Sequence, residues 1–267
     1  MSCHEFMLWQ GDRLSSRLRV VGLDQRGVLR SDELAPDDRL TEGDLVDDCE
    51  LVRKELGIDR WAVLGHSFGG RLALRYALRH PDRVAAVIFE NPAWDVRETE
   101  RLRLPVAAAA FTELGDADAA AACLDMAAGP LSDAMSTFEL VGRLTEHGRY
   151  NDLYARQSWA RDRLNRMGDD RPYSTELLAR AGRHSEALLT TTDLMASLVP
   201  RLADLRTPAL LITGAHDLVT GPAQLAAFRS TVPSGTVETF PESGHFVQLE
   251  EPERYADLVA EFTIRHV

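Results

Sequence analysis

The sequence has few cysteines and no long apolar run. Its three cysteines, Cys3, Cys49 and Cys123, are far apart and odd in number, and none belongs to a CxxC pair or a Cys/His cluster with zinc spacing. This pattern predicts buried or free thiols in a reducing cytosol and no metal site. No run approaches the roughly 18 apolar residues of a membrane span, and residues 1–10 lack the pattern of a secretory signal. We therefore expect a cytoplasmic protein with no membrane partner.

The sequence also has fewer basic than acidic residues. The 267 residues include 30 lysines and arginines against 42 aspartates and glutamates, which gives a net charge of −12. Such a surface repels nucleic acid and anionic lipid, so we expect neither as a partner. Hydrophobic residues make up 45% of the chain, which is enough for a sizeable core. The charge balance favours solubility but identifies neither a substrate nor an oligomeric state.

Apolar, β-branched runs alternate with segments of helical spacing. We predict strands at 18–23, 61–64, 84–89, 209–213 and 236–240, and helices at 41–56, 67–79, 221–230 and 252–264. Thr41 is the predicted cap of the first of these helices, and Gly57 its predicted end. Arginines at 71, 75 and 79 are predicted to share one solvated helix face. Strands that alternate with helices predict parallel βαβ units.

The alternation stops between about residue 92 and residue 200. This stretch is rich in alanine and arginine, favours helices and contains no convincing buried strand. We therefore predict an α/β core formed by residues 1–92 and 201–267. A helical cap of residues 93–200 is expected to interrupt it.

A G-x-S-x-G pattern stands where a predicted strand meets a predicted helix. Ser67 lies at its centre, between Gly65 and Gly69. A serine on such a sharp turn takes a strained backbone conformation that exposes its Oγ as a nucleophile. We expect both glycines because a side chain there would collide with neighbouring backbone. The N–H of Phe68, at the positive end of the helix, is a predicted oxyanion-hole donor, whereas His66 is expected to serve only in packing.

To act as a nucleophile, a serine on this sharp strand-to-helix turn, the elbow, requires an acid and then a histidine later in the chain. His245 lies in a loop after the last predicted strand and is the predicted base, since His266 stands at a fraying chain end. Asp217 follows the strand at 209–213 and is predicted to orient the imidazole. Asp95, which follows the strand at 84–89, is the competing acid. No catalytic task is expected for His216, next to Asp217.

These motifs together resemble the α/β-hydrolase superfamily over nearly the whole chain. The resemblance rests on residues 65–70, 214–217, 243–246 and 250–254. In addition, Asp24-Gln25-Arg26-Gly27 resembles the D-Q-R-G box of prolyl iminopeptidases, and the helical insertion resembles their cap. The resemblance implies an α/β-hydrolase fold and hydrolysis of a small ester or amide through an acyl-enzyme, without a cofactor. For an iminopeptidase, the substrate would be a short peptide from which an N-terminal proline is released.

The sequence departs from the iminopeptidase pattern in two places. The tryptophan-rich cap box that ends in glutamate is not evident, so the carboxylate that would hold a substrate ammonium stays open among Glu98, Glu100, Glu113, Glu139 and Glu146. Members of the fold also usually carry three strands and an H-G-G-P-G-like loop, the source of a second oxyanion donor, before the D-Q-R-G strand. This sequence reaches the box at residue 24, so we expect an N-terminally truncated sheet.

Several functions share this constellation. Carboxylesterases, lactonases and carbon–carbon bond hydrolases use the same triad, whereas dehalogenases carry an aspartate where Ser67 stands. A non-catalytic scaffold for ligand binding or signalling could also keep these residues. The missing strands favour a third alternative, an inactive fragment.

Overall fold

Four parallel strands form the centre of the molecule. The computed structural model describes residues 3–35, 37–167, 173–191 and 194–267. In these ranges β1 (Trp61–His66), β2 (Val84–Glu90), β3 (Ala209–Gly214) and β4 (Gly235–Phe240) lie side by side in chain order. Every residue of β2 and β3 is buried, because each of these strands has a neighbour on both sides and helices over both faces.

Helices flank this sheet and fill the long connection between β2 and β3. They are α1 (Cys3–Ser15), α2 (Glu42–Glu55), α3 (Phe68–Arg79), α4 (Val96–Glu113), α5 (Ala117–Ala128), α6 (Ala134–Gly142), α7 (Ser158–Arg166), α8 (Thr175–Thr191), α9 (Pro222–Thr231), α10 (Val247–Glu250) and α11 (Pro252–His266). The predicted parallel α/β architecture is thereby confirmed. No helix of the described ranges has both the length and the apolar character needed to cross a membrane.

The two faces of the sheet carry separate apolar clusters. Val87 and Phe89 of β2 point to one face and pack with α3, α9 and the buried ring of Trp94. Ile88, between them, points to the other face and packs with α1 and α11. This alternation is the period of two that a strand imposes on its side chains. Apolar clusters therefore cover the sheet on both faces.

Helix α2 begins and ends as predicted. The hydroxyl of Thr41 accepts the N–H of Asp44 at 3.2 Å, and the Asp44 carboxylate accepts the N–H of Thr41 at 2.8 Å. This reciprocal pair is a capping box, which satisfies two free donors of the first turn. Gly57 follows the helix with a φ of 63°, a conformation that glycine adopts without strain.

The prediction that three arginines of α3 share a solvated face is wrong for the first of them. Arg71 is fully buried, and its Nε donates to Oε1 of Glu42 at 2.7 Å. Arg75 pairs with the same carboxylate, while Arg79 pairs with Asp47. Because α2 packs against α3, the face that looks solvated in the sequence lies partly between the two helices.

The strand predicted at residues 18–23 is also wrong. This segment has no regular secondary structure, and Val21 is 39% exposed. Strand β1 lies at the edge of the sheet, and in the described ranges no further strand lines its outer side. A strand needs a hydrogen-bonded neighbour, so a β-prone segment without one stays irregular.

The connection between β2 and β3 contains helices but no strand in the described ranges, in agreement with the predicted insertion. Its own apolar cluster joins Leu104 and Phe111 of α4 to Cys123 of α5 and Leu144 beyond α6. The assignment of residues 93–200 to a separate cap stays a prediction. Tyr154, within these residues, contacts His245 of the predicted core through both its backbone and its ring.

Candidate active site

Ser67 occupies the sharp turn between β1 and α3. Its backbone has φ 54° and ψ −121°, a region that residues other than glycine rarely adopt. The N–H of Ser67 donates to the carbonyl of Glu90 at 2.9 Å, and its carbonyl accepts the N–H of Ala93 at 3.1 Å. The end of β2 thus holds the strained turn in place, as such a conformation requires.

The glycines around the turn differ in what they permit. A Cβ at Gly65 would lie 2.2 Å from the carbonyl oxygen of Gly69, so the predicted collision is confirmed there. A Cβ at Gly69 would meet no atom within 4 Å, and the same prediction is therefore wrong for this residue. The constraint falls instead on Gly70, whose Cβ would lie 2.4 Å from that of Pro92.

Asp217 and His245 form a buried pair. Nδ1 of His245 lies 2.8 Å from Oδ1 of Asp217, and both side chains are at most 2% exposed. The second carboxylate oxygen of Asp217 accepts the N–H of Thr220 at 2.7 Å. Because an ionised carboxylate only accepts hydrogen bonds, Nδ1 carries the proton and Nε2 is left free to act as a base.

The alternative acid and histidines lie in other environments. Asp95 accepts the N–H of Glu98 at the start of α4 and acts as a helix cap. His216 is exposed, and the ring of His266 packs on Phe262 at the end of α11. Of the candidates from the sequence, the structure therefore brings Asp217 and His245 together. Their catalytic roles stay predictions.

His66 connects the turn at Ser67 to the histidine loop, which we define as residues 241–246 between β4 and α10. Its ring centroid lies 4.5 Å from that of His245, and its ring stacks on Phe246 at 5.3 Å. Burial lowers the pKa of His66, which favours a neutral ring beside His245. Since His66 directly precedes Ser67, these contacts place the elbow next to His245.

Phe68 begins α3, immediately after Ser67. As the first residue of the helix, it has a backbone N–H without an intrahelical acceptor. Its side chain packs against Val96, Ala134 and Met195. The predicted oxyanion donor thus lies directly after Ser67, and its role stays a prediction.

Asn91 is a site residue that the sequence analysis missed. Its Nδ2 donates to the carbonyls of Gly244 at 3.1 Å and His245 at 2.8 Å, and its Oδ1 accepts the N–H of Gly214 at 3.1 Å. The buried amide therefore joins the loop of Asp217 to the loop of His245. The only signal in the sequence is its position, directly after β2 at the carboxyl edge of the sheet.

Glu90 is a second missed residue. It ends β2 fully buried, and its carboxylate accepts the hydroxyl of Tyr255 at 2.9 Å and the N–H of Gln248 at 3.2 Å. It also lies 3.5 Å from Nδ1 of His66. A charged residue at the end of an otherwise apolar strand was the available signal. Its contacts fix the segment that follows His245.

Glu250 ties the histidine loop to the helical insertion. Its carboxylate accepts the N–H of Gly244 at 2.7 Å and that of Gln157 at 2.6 Å. Burial raises the pKa of this carboxyl group. The N–H of His245 itself donates to the carbonyl of Tyr154 at 2.6 Å. The position of His245, the predicted base, thus depends on contacts with residues 154–157 of the helical insertion.

The five carboxylates considered for a substrate ammonium are placed differently. Glu98 accepts the N–H groups of Ala223 and Gln224 at the start of α9. Glu113 pairs with Arg149, and Glu139 and Glu146 are exposed. Glu100 is fully buried, and its carboxylate lies 3.2 Å from a guanidinium nitrogen of Arg103. None of the five is both buried and free of a counter-charge.

Comparison with known proteins identifies the fold family. A sequence model of the alpha/beta hydrolase fold family matches residues 3–252. The proline iminopeptidase of Xylella fastidiosa strain Temecula1 is 28% identical over 246 residues, which are 86% of this chain and 75% of that protein. A probable 1-acylglycerol-3-phosphate O-acyltransferase of Oryza sativa subsp. japonica is 40% identical over 92 residues, or 33% of this chain and 22% of that protein.

Some relatives match this chain over only a small part of their own length. Matches to the proline iminopeptidases of Neisseria also span only 24% of the length of those relatives. The crystal structure of VinJ superimposes with a TM-score of 0.69 and 22% identity, over all of this chain and 87% of VinJ. At this identity the superposition shows the fold alone. Since the family model covers most of the sequence, the chain belongs to the alpha/beta hydrolase fold family.

Proposed function

We propose that the protein is a serine hydrolase with Ser67 as nucleophile, His245 as base and Asp217 as the acid that orients it. The observation that carries the proposal is the buried 2.8 Å contact between Asp217 and His245. The ring of His66, the residue before the strained Ser67 at φ 54°, lies 4.5 Å from that of His245. A nucleophile on a strained turn, a base and an orienting carboxylate are the three parts of this chemistry.

The reaction proceeds through an acyl-enzyme. Nδ1 of His245 keeps its proton and donates a hydrogen bond to Asp217, so Nε2 removes the proton of Ser67 Oγ as that oxygen attacks the substrate carbonyl carbon. The N–H of Phe68 and the positive end of α3 stabilise the negative oxygen that develops. His245 then gives the proton to the leaving amine or alkoxide, and a water molecule attacks the acyl-enzyme by the same route.

Within this chemistry, we propose a prolyl iminopeptidase-like amide hydrolase as the finer activity. The D-Q-R-G box at residues 24–27 and the iminopeptidase relative that aligns with most of the chain support it. Carboxylesterase, lactonase and carbon–carbon bond hydrolase activities remain alternatives.

A substrate panel on matched variants tests the proposal. Short p-nitrophenyl esters and the naphthylamides of proline, alanine and leucine are offered to the wild type, to Ser67→Ala and to the control Ser230→Ala, an exposed serine of α9. We expect Ser67→Ala to lose roughly 10³-fold or more in kcat/KM while its circular dichroism is unchanged. The control should keep its activity. A folded wild type that turns over none of these substrates, or a Ser67→Ala variant that stays active, would contradict the proposal.

A further inference from the structure

Two charged residues of α4 are buried inside the helical insertion. Glu100 is fully buried and Arg103 is 4% exposed. They are three residues apart and therefore lie on the same side of the helix. One hydrogen bond joins them, from Nη1 of Arg103 to Oε1 of Glu100 at 3.2 Å. Buried charges are normally paired and fully hydrogen-bonded, and this pair is not.

The remaining donors of Arg103 are unmet. By hydrogen-bond geometry, its Nε and Nη2 have no acceptor in the described part of the chain, and Oε2 of Glu100 has no donor there. The hydroxyls of Tyr150 and Thr137 nevertheless lie near the pair and interact with Arg103 and Glu100, respectively. Nε and Nη2 share one edge of the planar guanidinium, so their N–H groups point in parallel. The nearby hydroxyls of Tyr150 and Tyr154 lie 3.1 Å from each other. An unmet buried donor is costly, so an acceptor from outside the chain, either a water molecule or a ligand, would stabilise this edge.

This arginine lies close to the predicted base. The central carbon of its guanidinium lies 5.0 Å from the ring centroid of Tyr154. That ring lies 5.4 Å from the ring of His245, and the carbonyl of Tyr154 accepts the N–H of His245. The ring of Tyr154 therefore neighbours both the guanidinium of Arg103 and the ring of His245, the proposed base.

We propose that the Nε–Nη2 edge of Arg103 binds a carboxylate of the substrate, some atoms away from the carbonyl that Ser67 attacks. Two parallel N–H donors match the two oxygens of a carboxylate, and arginine is the residue that makes this paired contact. The inference rests on the proposed hydrolase function and narrows its substrates to esters or amides that carry a carboxylate. A short peptide meets this condition through its C-terminal carboxylate.

The charge state of the pair supports an anionic ligand. Burial raises the pKa of Glu100, so its negative charge is held less firmly than that of an exposed glutamate. Arg103 keeps its positive charge under all ordinary conditions. An ammonium group would meet this cation, whereas a carboxylate would neutralise it. The cluster thus favours an acidic substrate group over a basic one.

Matched pairs of esters provide the test. The p-nitrophenyl monoesters of glutaric, adipic and pimelic acid are compared with the same esters whose free carboxyl group is capped as a methyl ester. For at least one chain length, we expect kcat/KM of the wild type to be about tenfold or more higher for the acid than for its neutral counterpart. Arg103→Gln should abolish this preference, so that the ratio of kcat/KM for the acid to kcat/KM for its neutral counterpart falls to about one.

Two further variants control the test. Arg101→Gln removes an exposed arginine of the same helix and should keep the preference. Glu100→Gln keeps the free edge of Arg103 and should keep or increase it. If Arg103→Gln fails to fold, Arg103→Lys retains the charge but lacks the paired donors, and a loss of preference there gives the same answer.

The outcomes separate the two proposals. A wild type that hydrolyses the neutral esters through Ser67 but shows no acid preference would overturn the carboxylate inference alone. Retained preference in Arg103→Gln would do the same. If no ester is turned over, the hydrolase proposal fails, and the binding of adipate still tests Arg103. Adipate should then raise the melting temperature of the wild type and of Arg101→Gln but not that of Arg103→Gln, and equal shifts would overturn the inference.

Discussion

At the level of single side chains, Asn91 links the two loops that carry Asp217 and His245. One buried amide bonds to three backbone groups on two loops, at Gly214, Gly244 and His245. The loops also approach closely, since a Cβ at Gly214 would lie 2.0 Å from the carbonyl oxygen of Gly244. The distance between Asp217 and His245 therefore depends on a residue from a third strand end.

Replacement of Asn91 by alanine should damage both stability and activity. The substitution leaves three buried backbone groups without a partner, and we expect a loss of roughly 2–4 kcal/mol in the free energy of unfolding. The loops should also separate and lower kcat. Urea unfolding and ester hydrolysis measure the two effects. The control Asn165→Ala, at an exposed position, should cost less than about 1 kcal/mol. Equal stability of the two variants would refute this role of Asn91.

The sequence predicted the residues whose chemistry depends on local pattern and chain order. Ser67 was visible because a strand, a G-x-S-x-G turn and a helix follow one another directly. The contacts of Asn91, Glu90 and Glu250 were not predictable, because Asn91 and Glu90 bond to groups more than 120 residues away and Glu250 to a group 93 residues away. Side-chain bonds to backbone at such separations leave no local signature.

At the level of elements, α2 and α3 are joined by a buried ionic network. Nε and Nη2 of Arg53 donate to the carboxylate of Glu50 at 2.8 and 2.7 Å, and the hydroxyl of Tyr76 donates to it at 2.9 Å. The hydrogen bonds from Arg53 lower the pKa of Glu50 from 4.5 to about 2. The ionised carboxylate is thus the form that the fold stabilises.

The stability contributed by Glu50 should depend on pH in one direction. Because its pKa is lower in the folded state, its contribution is complete above the unfolded value of 4.5 and is lost as the pH falls towards about 2. Urea unfolding of the wild type and of Glu50→Gln should give a difference in free energy that is largest and constant above pH 5. This difference should shrink between pH 4.5 and pH 3. A difference that does not change with pH would contradict the account.

Strand prediction succeeded where a β-prone segment also has neighbouring strands to pair with. The β-branched run of β2 became a fully buried strand because β1 and β3 lie on either side of it. The segment at 18–23, which also contains β-branched residues, did not become a strand, since no neighbour pairs with it in the described ranges. Strand formation is decided by pairing, which a propensity does not report.

At the level of the whole molecule, the helical insertion and the core meet at the histidine loop. The backbone of Tyr154 and Gln157 bonds to His245 and Glu250, and the ring of Tyr154 lies against His245. The sequence indicated that residues 93–200 are helical, because alanine-rich periodic sequence favours helices. It could not indicate the burial of Arg103 and Glu100, since an arginine and a glutamate three residues apart are typical of an exposed helix face.

The central claim is that Ser67 is an activated nucleophile, and covalent labelling tests it most directly. A fluorophosphonate reacts with a serine hydroxyl only when a base activates it, forming a phosphorus–oxygen bond with loss of fluoride. Intact-mass and peptide mass spectrometry should show one label per chain, on Ser67 in wild type, and roughly 10³-fold slower labelling in His245→Ala. A folded wild-type protein that stays unlabelled, or one labelled equally well after loss of His245, would contradict the account.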